Sequence, residues 1–282
     1  MRIKAIQDLV QLSDAMFFEQ VAVGTALCLA NAKQIHDDHA SLVSARRPRG
    51  AEILRLTAEE EASKVLILLD AVRCPRTKST AQFSRQLHYF NDHLAKGIYA
   101  QYCGLRPATF GEIHRWVDLE RKEFYLDGPN DVDWIFYNDI LRRREETIYV
   151  DYVESERDHL WHDPTKFDEL ALSFVMPSRN PVFRLVTALG DAGCLSSAGL
   201  ALIAEVWRSI FIDDDFSWDS LHERNVKMLE HMEQKNLLKT KGDDVRGVIV
   251  NEWLFPLYPL DLTKERVDKN GLRDLQQQWS PW

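Results

Sequence analysis

Thr57-Ala58-Glu59-Glu60-Glu61-Ala62-Ser63-Lys64-Val65-Leu66-Ile67-Leu68-Leu69 decides how the chain folds, together with Arg85-Gln86-Leu87-His88-Tyr89-Phe90-Asn91-Asp92-His93-Leu94-Ala95-Lys96. Apolar residues recur every three or four positions in both parts: Ala62, Val65, Leu66 and Leu69, then Phe83, Leu87, Phe90 and Leu94. That is the period of a helix with one face turned to a core. Pro75 ends the first helix, because proline has no amide hydrogen to donate. The spacing predicts a helix over about 51–72 and another from Ser79 or Thr80 to Tyr99. Polar groups then fall on neighbouring helices, with Glu60, Glu61 and Lys64 on one and Arg85, His88, His93 and Lys96 on the other.

Working outward, Asp14 can cap a long helix through Phe18, Val21, Ala22, Ala26 and Leu29 towards His39. Arg46-Arg47-Pro48-Arg49-Gly50 reads as a basic turn. Thr109 and Glu112 have the spacing of a capping box that opens a helix ending near Tyr125. Gly128, Pro129 and Asn130 mark a turn, after which Asn130 or Asp131 caps a helix through Ile140 and Leu141 as far as about Tyr152. Long helices joined by short turns predict a mainly α, up-and-down bundle. The composition becomes polar at 154–166, which places a boundary between a helical domain at 1–155 and a mostly helical domain at 156–282. Helices are expected there at 182–191, 197–211 and 218–236. Gly247-Val248-Ile249-Val250 is β-prone, so a hairpin and a winged-helix-like tail are expected. The run from Trp253 to Tyr258 is too apolar to float free and should pack on the body of the protein or on a partner.

The 282 residues carry a formal net charge of -9, with 28% charged and 45% hydrophobic residues. This is an ordinary soluble composition, and its sign disfavours a broad basic grip on nucleic acid while leaving room for a small local site. Four dispersed cysteines with no C-x-x-C pair read as buried, reduced thiols of a cytoplasmic protein. The apolar run at 17–30 is broken by Glu19, Gln20 and Gly24, so a core helix is expected rather than a membrane span.

The pattern Ala58-Glu59-Glu60-Glu61-Ala62-Ser63-Lys64 resembles the A-x-E-E-x-x-K helix of the AbiV-like abortive infection proteins, members of the HEPN-type helical superfamily. Phe90-Asn91-Asp92-His93-Leu94-Ala95-Lys96 is similar to that family's F-x-x-H-x-x-K pattern. The two occur in order and cover about the first 100 residues, whereas residues 163–282 resemble nothing comparable. The resemblance implies a HEPN-like helical bundle, a homodimer, and a role in bacterial defence in which a phage protein triggers shutdown of the host cell. It also implies that the shutdown acts by metal-independent cleavage of an RNA substrate or by inhibition of translation. In that chemistry a histidine takes the proton of the 2′-hydroxyl, an arginine steadies the phosphate charge, and a cyclic phosphate end results.

The usual signature is an arginine followed after four to six residues by a histidine. Arg85 and His88 are separated by two residues, and Arg85 and His93 by seven. On one continuous helix, the latter pair would lie about 12 Å apart along the axis, too far to share a phosphate. Glu61, Lys64, Arg85, His88, His93 and Lys96 are nevertheless the candidate catalytic residues. Arg157 with His162 forms a second candidate pair of favoured spacing, and Arg224 with His231 a weaker one that a polar helix face explains. His36-Asp37-Asp38-His39 and Glu156 with His159 have metal-ligand spacings but read better as a polar helix end and a polar loop. No glycine-rich phosphate loop is present, so neither a metal nor a cofactor is expected. The alternative to an RNA-cleaving effector is a non-catalytic interaction protein whose polar residues tie helices together and whose surface binds a protein partner, with no membrane role.

Overall fold

In the computed structural model, which describes residues 5–76, 80–124, 138–155, 158–166, 181–240 and 242–267, two long antiparallel helices form the spine of a mainly α architecture. A short 3-10 helix, Ala5–Gln11, leads into α1 (Asp14–Ser44), where the Ser13 side chain accepts from the Met16 amide as the N-cap. Arg46 takes a positive φ of 55° and reverses the chain. Pro48 then opens α2 (Pro48–Arg73) in its first turn, the one helical place where its missing amide costs nothing. The basic turn is therefore shorter than expected, and Gly50 already lies inside α2. Phe17, Val21, Thr25, Cys28 and Ala32 line the face of α1 turned inward, while Val23 and Leu27 lie exposed on the other side. Among the described residues α1 alone is long and apolar enough to cross a membrane. Its inner face packs along α2, an arrangement compatible with a soluble protein.

The helix expected from residue 79 or 80 to Tyr99 is two helices. α3 (Thr80–His88) passes through a 3-10 turn, Tyr89–Asn91, and the chain restarts as α4 (His93–Tyr102). Asp92 causes the break. Its backbone is extended and its carboxylate accepts from the Ala95 amide at 2.8 Å, a local bond that competes with helix continuation. His93 thus stands at the first position of a new helix, and the 12 Å separation inferred for Arg85 and His93 on one axis does not apply.

α5 (Phe110–Glu120) has Thr109 at its N-cap, but the reciprocal box is incomplete: Thr109 makes no side-chain cap, and Glu112 accepts instead from the Ala108 amide. Strand β1 (Lys122–Phe124) follows. The turn at 126–131 and the helix start proposed at Asn130 or Asp131 fall outside the described residues. α6 (Asp139–Ile148) begins at Asn138, whose side chain caps Leu141. The chain does not stay helical to Tyr152. It forms an antiparallel hairpin of β2 (Asp151–Ser155) and β3 (Asp158–His162), in which Tyr152 pairs with Trp161.

Helices α7 (Pro181–Asp191), α8 (Ser197–Trp207) and α9 (Trp218–Gln234) lie near their expected positions. The hairpin expected around Gly247–Val250 is instead α10 (Asp243–Glu252), so the expected winged-helix-like hairpin does not form there. Asp243 and Asp244 favour its first turn through the helix dipole, and Ile249 and Val250 are buried on one side of it. Packing overrides the β preference of the Val-Ile-Val run. A final short strand, β4 (Glu265–Val267), pairs in parallel with β1, Lys122 opposite Glu265. One hydrophobic core runs on both sides of the boundary expected at 155, with α7 and α8 packed on α1 and α2.

Through that core runs an irregular strap, residues 253–262. A buried segment without secondary structure must find partners for its backbone polar groups. Here side chains provide them. Asn225 donates to the Trp253 carbonyl at 2.8 Å, Arg73 to Leu254 at 3.2 Å and the Tyr102 hydroxyl to Phe255. The Asp70 carboxylate accepts from the Leu257 amide at 2.6 Å. Tyr89 donates to the Leu260 carbonyl at 3.2 Å and accepts from the Leu262 amide at 2.9 Å. Arg73 is paired with Asp70 and lies over the rings of Trp207 and Trp253, at 5.0 and 4.6 Å. The apolar run that had to pack somewhere therefore packs on the body of its own chain.

Candidate functional site

Three consecutive glutamates on a helix point about 100° apart, so Glu59, Glu60 and Glu61 serve three different surroundings. Glu59 turns back along α2 to Arg55. Glu61 pairs with Lys64 and accepts from Asn31 of α1 at 3.0 Å, while the Lys64 ammonium lies 5.1 Å from the Phe90 ring centroid. Glu60 faces α4 and α6 and becomes the hub of a cluster.

His93 Nδ1 and Lys96 Nζ both lie 2.8 Å from Glu60 Oε2, and Arg144 Nε lies 3.3 Å from Oε1. Helix geometry brings the first two together, since positions three apart in the first turn of α4 share a face. Arg144 arrives because α6 crosses α4 closely at Gly97, where an added Cβ would lie 2.1 Å from Ile140 Cγ2. Side-chain exposure is graded across the cluster: Lys96 7%, Glu60 16%, Arg144 32% and His93 47%.

This geometry has chemical consequences. An ionised carboxylate only accepts hydrogen bonds, so His93 Nδ1 is the protonated nitrogen of the pair and the basic lone pair of the neutral ring resides on Nε2. Lys96 Nζ stands 3.3 Å from the same Nδ1, a contact between two donors that the shared carboxylate makes tolerable. Arg144 forms its ion pair with Glu60 through Nε, and among the described residues its two terminal nitrogens meet no other acceptor. One carboxylate thus faces two fixed cations and an imidazole, a local positive excess in a chain whose overall charge is negative.

The other candidate residues are placed differently. Arg85 is drawn away from the cluster to the strap, with NH2 at 3.5 and 3.2 Å from the carbonyls of Tyr258 and Pro259. His88 is exposed at the last residue of α3 and makes none of the cluster's bonds. Arg157 lies outside the described residues, and its proposed partner His162 sits on β3 with Nε2 2.9 Å from the Glu146 carbonyl. His39 Nδ1 is 2.8 Å from the Ala51 carbonyl and His36 stacks on Phe183 at 4.5 Å, so the His-Asp-Asp-His motif serves packing. Burial, with His39 close by, lowers the His36 pKa. Among the described residues no group of three metal-ligating side chains occurs.

Two members of the cluster were not among the candidate residues. Glu60 could not be separated from its neighbouring glutamates by pattern alone. Arg144 had only one signal, the run Arg142-Arg143-Arg144 on a helix, and nothing local says that α6 crosses α4. Fold and site together define a mainly α protein with a carboxylate-anchored imidazole and arginine at its surface. Comparison with protein-family models, curated proteins and solved structures returns no match.

Proposed function

We propose that the protein is an abortive-infection effector of the AbiV-like, HEPN-type class that cleaves RNA without a metal at the Glu60–His93–Lys96–Arg144 cluster. The observation that carries this reading is the Glu60–His93 contact, which orients the ring and holds its proton on Nδ1 while leaving Nε2 as the base. His93 Nε2 takes the proton of an RNA 2′-hydroxyl, and the resulting oxygen attacks the adjacent phosphorus. The bond from phosphorus to the 5′-oxygen breaks, giving a 2′,3′-cyclic phosphate, and the protonated imidazole returns its proton to the leaving 5′-oxygen. Arg144 offers its terminal nitrogens to the phosphate oxygens, where charge develops. Lys96, almost fully buried, holds the Glu60 carboxylate in place.

The test is inducible expression in bacteria of the parent chain and of His93→Ala, with growth and RNA integrity followed together. The parent should arrest growth and fragment RNA, and the variant should do neither. Growth arrest by the variant equal to that of the parent would overturn the assignment of His93.

A second reading, a non-catalytic interaction protein, is favoured by one observation: Met16, Val23 and Leu27 form an exposed apolar line on α1. Such a line suits a protein partner. Under this reading His93→Ala leaves the phenotype intact and polar substitutions at Val23 and Leu27 abolish it.

A further inference from the structure

Helix α1 is apolar on two faces. One packs inward, against α2, α7 and α8. The other carries Met16, Val23 and Leu27 at 53%, 57% and 66% exposure, with Ala26 and Ala30 exposed beside them. A helix that is apolar all round is normally buried all round. The outward residues also follow a stricter rule. Met16, Gln20, Val23, Leu27, Ala30 and Gln34 are spaced alternately four and three residues apart, the seam of a coiled coil. Val23 and Leu27 stand at its centre, with a glutamine towards each end.

Charge selects what covers this seam. Glu19, Ala26 and Lys33 each stand one residue before a seam position and seven residues apart, so they form a row along one flank. Glu19 is exposed and Lys33 half-buried, and among the described residues neither has an ion-pair partner in its own chain. When two copies of such a helix pair antiparallel, the same flank of each faces the other. The acidic end of one row then meets the basic end of the second: Glu19 of each copy faces Lys33 of the other, and Ala26 meets its equivalent at the twofold axis. The same register sets Val23 against Leu27 and Gln20 against Ala30 in the seam. Parallel pairing would set Asp37, the next seam position, against the Asp37 of the second copy, a repulsive contact between like charges. Antiparallel pairing places Asp37 opposite Ser13 and opposes the two helix dipoles. The alanines at 26 and 30 let the helix axes come close.

We infer that α1 is the interface of a homodimer, in which the seam from Met16 to Gln34 packs antiparallel on the same seam of a second copy. The contact runs along about 27 Å of helix. Glu60 faces α4 and α6 rather than α1, so the dimer needs none of the residues of the His93 cluster. The inference stands on α1 alone and holds whether or not the protein cuts RNA.

Sedimentation equilibrium of the full chain at micromolar concentration tests it. The parent should sediment at twice the mass of the chain. Leu27→Glu, which sets an unpaired charge in the seam, should weaken association about 100-fold or more, whereas Leu27→Met should hold it within about threefold. Glu19→Lys and Lys33→Glu should each weaken it about 10-fold, and the two together should restore the parent's association, because the pairs re-form with their signs exchanged. Circular dichroism confirms that the variants keep the helical fold. A parent that sediments as a monomer, or a dimer indifferent to Leu27→Glu, would overturn the inference. So would a monomer that floats with phosphatidylcholine vesicles through the same face. Failure of the double exchange to restore association would overturn the antiparallel register.

Discussion

Gly97→Ala tests how the site is assembled, because the crossing of α4 and α6 is what delivers Arg144 to Glu60. The new Cβ would lie 2.1 Å from Ile140 Cγ2, where ordinary contact begins at 3.4 Å, so one helix must yield by more than an ångström. Overpacking of this kind costs about 1–3 kcal/mol. Alanine regains roughly 0.8–1 kcal/mol over glycine in helix propensity. The net expectation is a loss of up to about 2 kcal/mol, read from urea unfolding. Removing Ile140 Cγ2 changes the sign: in an Ile140→Ala background the nearest atom of residue 140 is Cβ, at 3.5 Å. There the same Gly97→Ala change should stabilise, by about the propensity term alone. RNA cleavage should fall in Gly97→Ala, as α6 carries Arg144 off Glu60, and recover in the double variant. A double-mutant cycle isolates the pairwise effect. Additivity, with Gly97→Ala equally harmful in both backgrounds, would refute the close crossing and the route by which Arg144 reaches the site.

Two further outcomes follow from the charged groups that tie the fold together. Asp70→Asn should leave the Arg73 guanidinium buried between two tryptophans without its counter-ion, a loss of about 3–5 kcal/mol visible as a lowered melting temperature; a melting temperature unchanged within error would remove the strap's anchor from the account. At the N-terminal end, burial raises the Asp14 pKa, but Arg208 and Arg76 outweigh it and hold the carboxyl below its ordinary 3.8. A group depressed in the folded state stabilises above its unfolded pKa and loses that contribution as pH falls through the folded value. Asp14→Asn should therefore destabilise by about 0.5–1 kcal/mol near pH 7, and the difference from the parent should vanish on acidification below pH 3.8. A difference that persists undiminished at low pH would contradict the ion pairs as its source.

How far the sequence could be read depended on the distance over which each feature is decided. Helix periodicity placed α1, α2, α7, α8 and α9 nearly in full, because an apolar stripe every three or four residues is a local property. Asp92 defeated the same reasoning. It interrupts a good apolar pattern with one side-chain bond, and a pattern of periods does not weigh a cap against continuation. Val248-Ile249-Val250 misled through β propensity, which gave way to the burial of α10 on its neighbours. The site was half legible. His93 and Lys96 share a helical turn and could be paired on paper, but the choice of Glu60 depends on helix rotation and the arrival of Arg144 on a crossing between residues 97 and 140. Arg85 shows the opposite case: a residue with the right chemistry for a phosphate spends it on the carbonyls of a strap more than 170 positions away.

The central claim is that His93, held by Glu60, is the base of a metal-independent ribonuclease, and purified protein incubated with single-stranded RNA in EDTA tests it most directly. The parent should yield fragments ending in 2′,3′-cyclic phosphate, and His93→Ala should reduce the rate by about 100-fold or more. Cleavage by His93→Ala at the parent rate, or a parent that cuts only when metal is supplied, would contradict it.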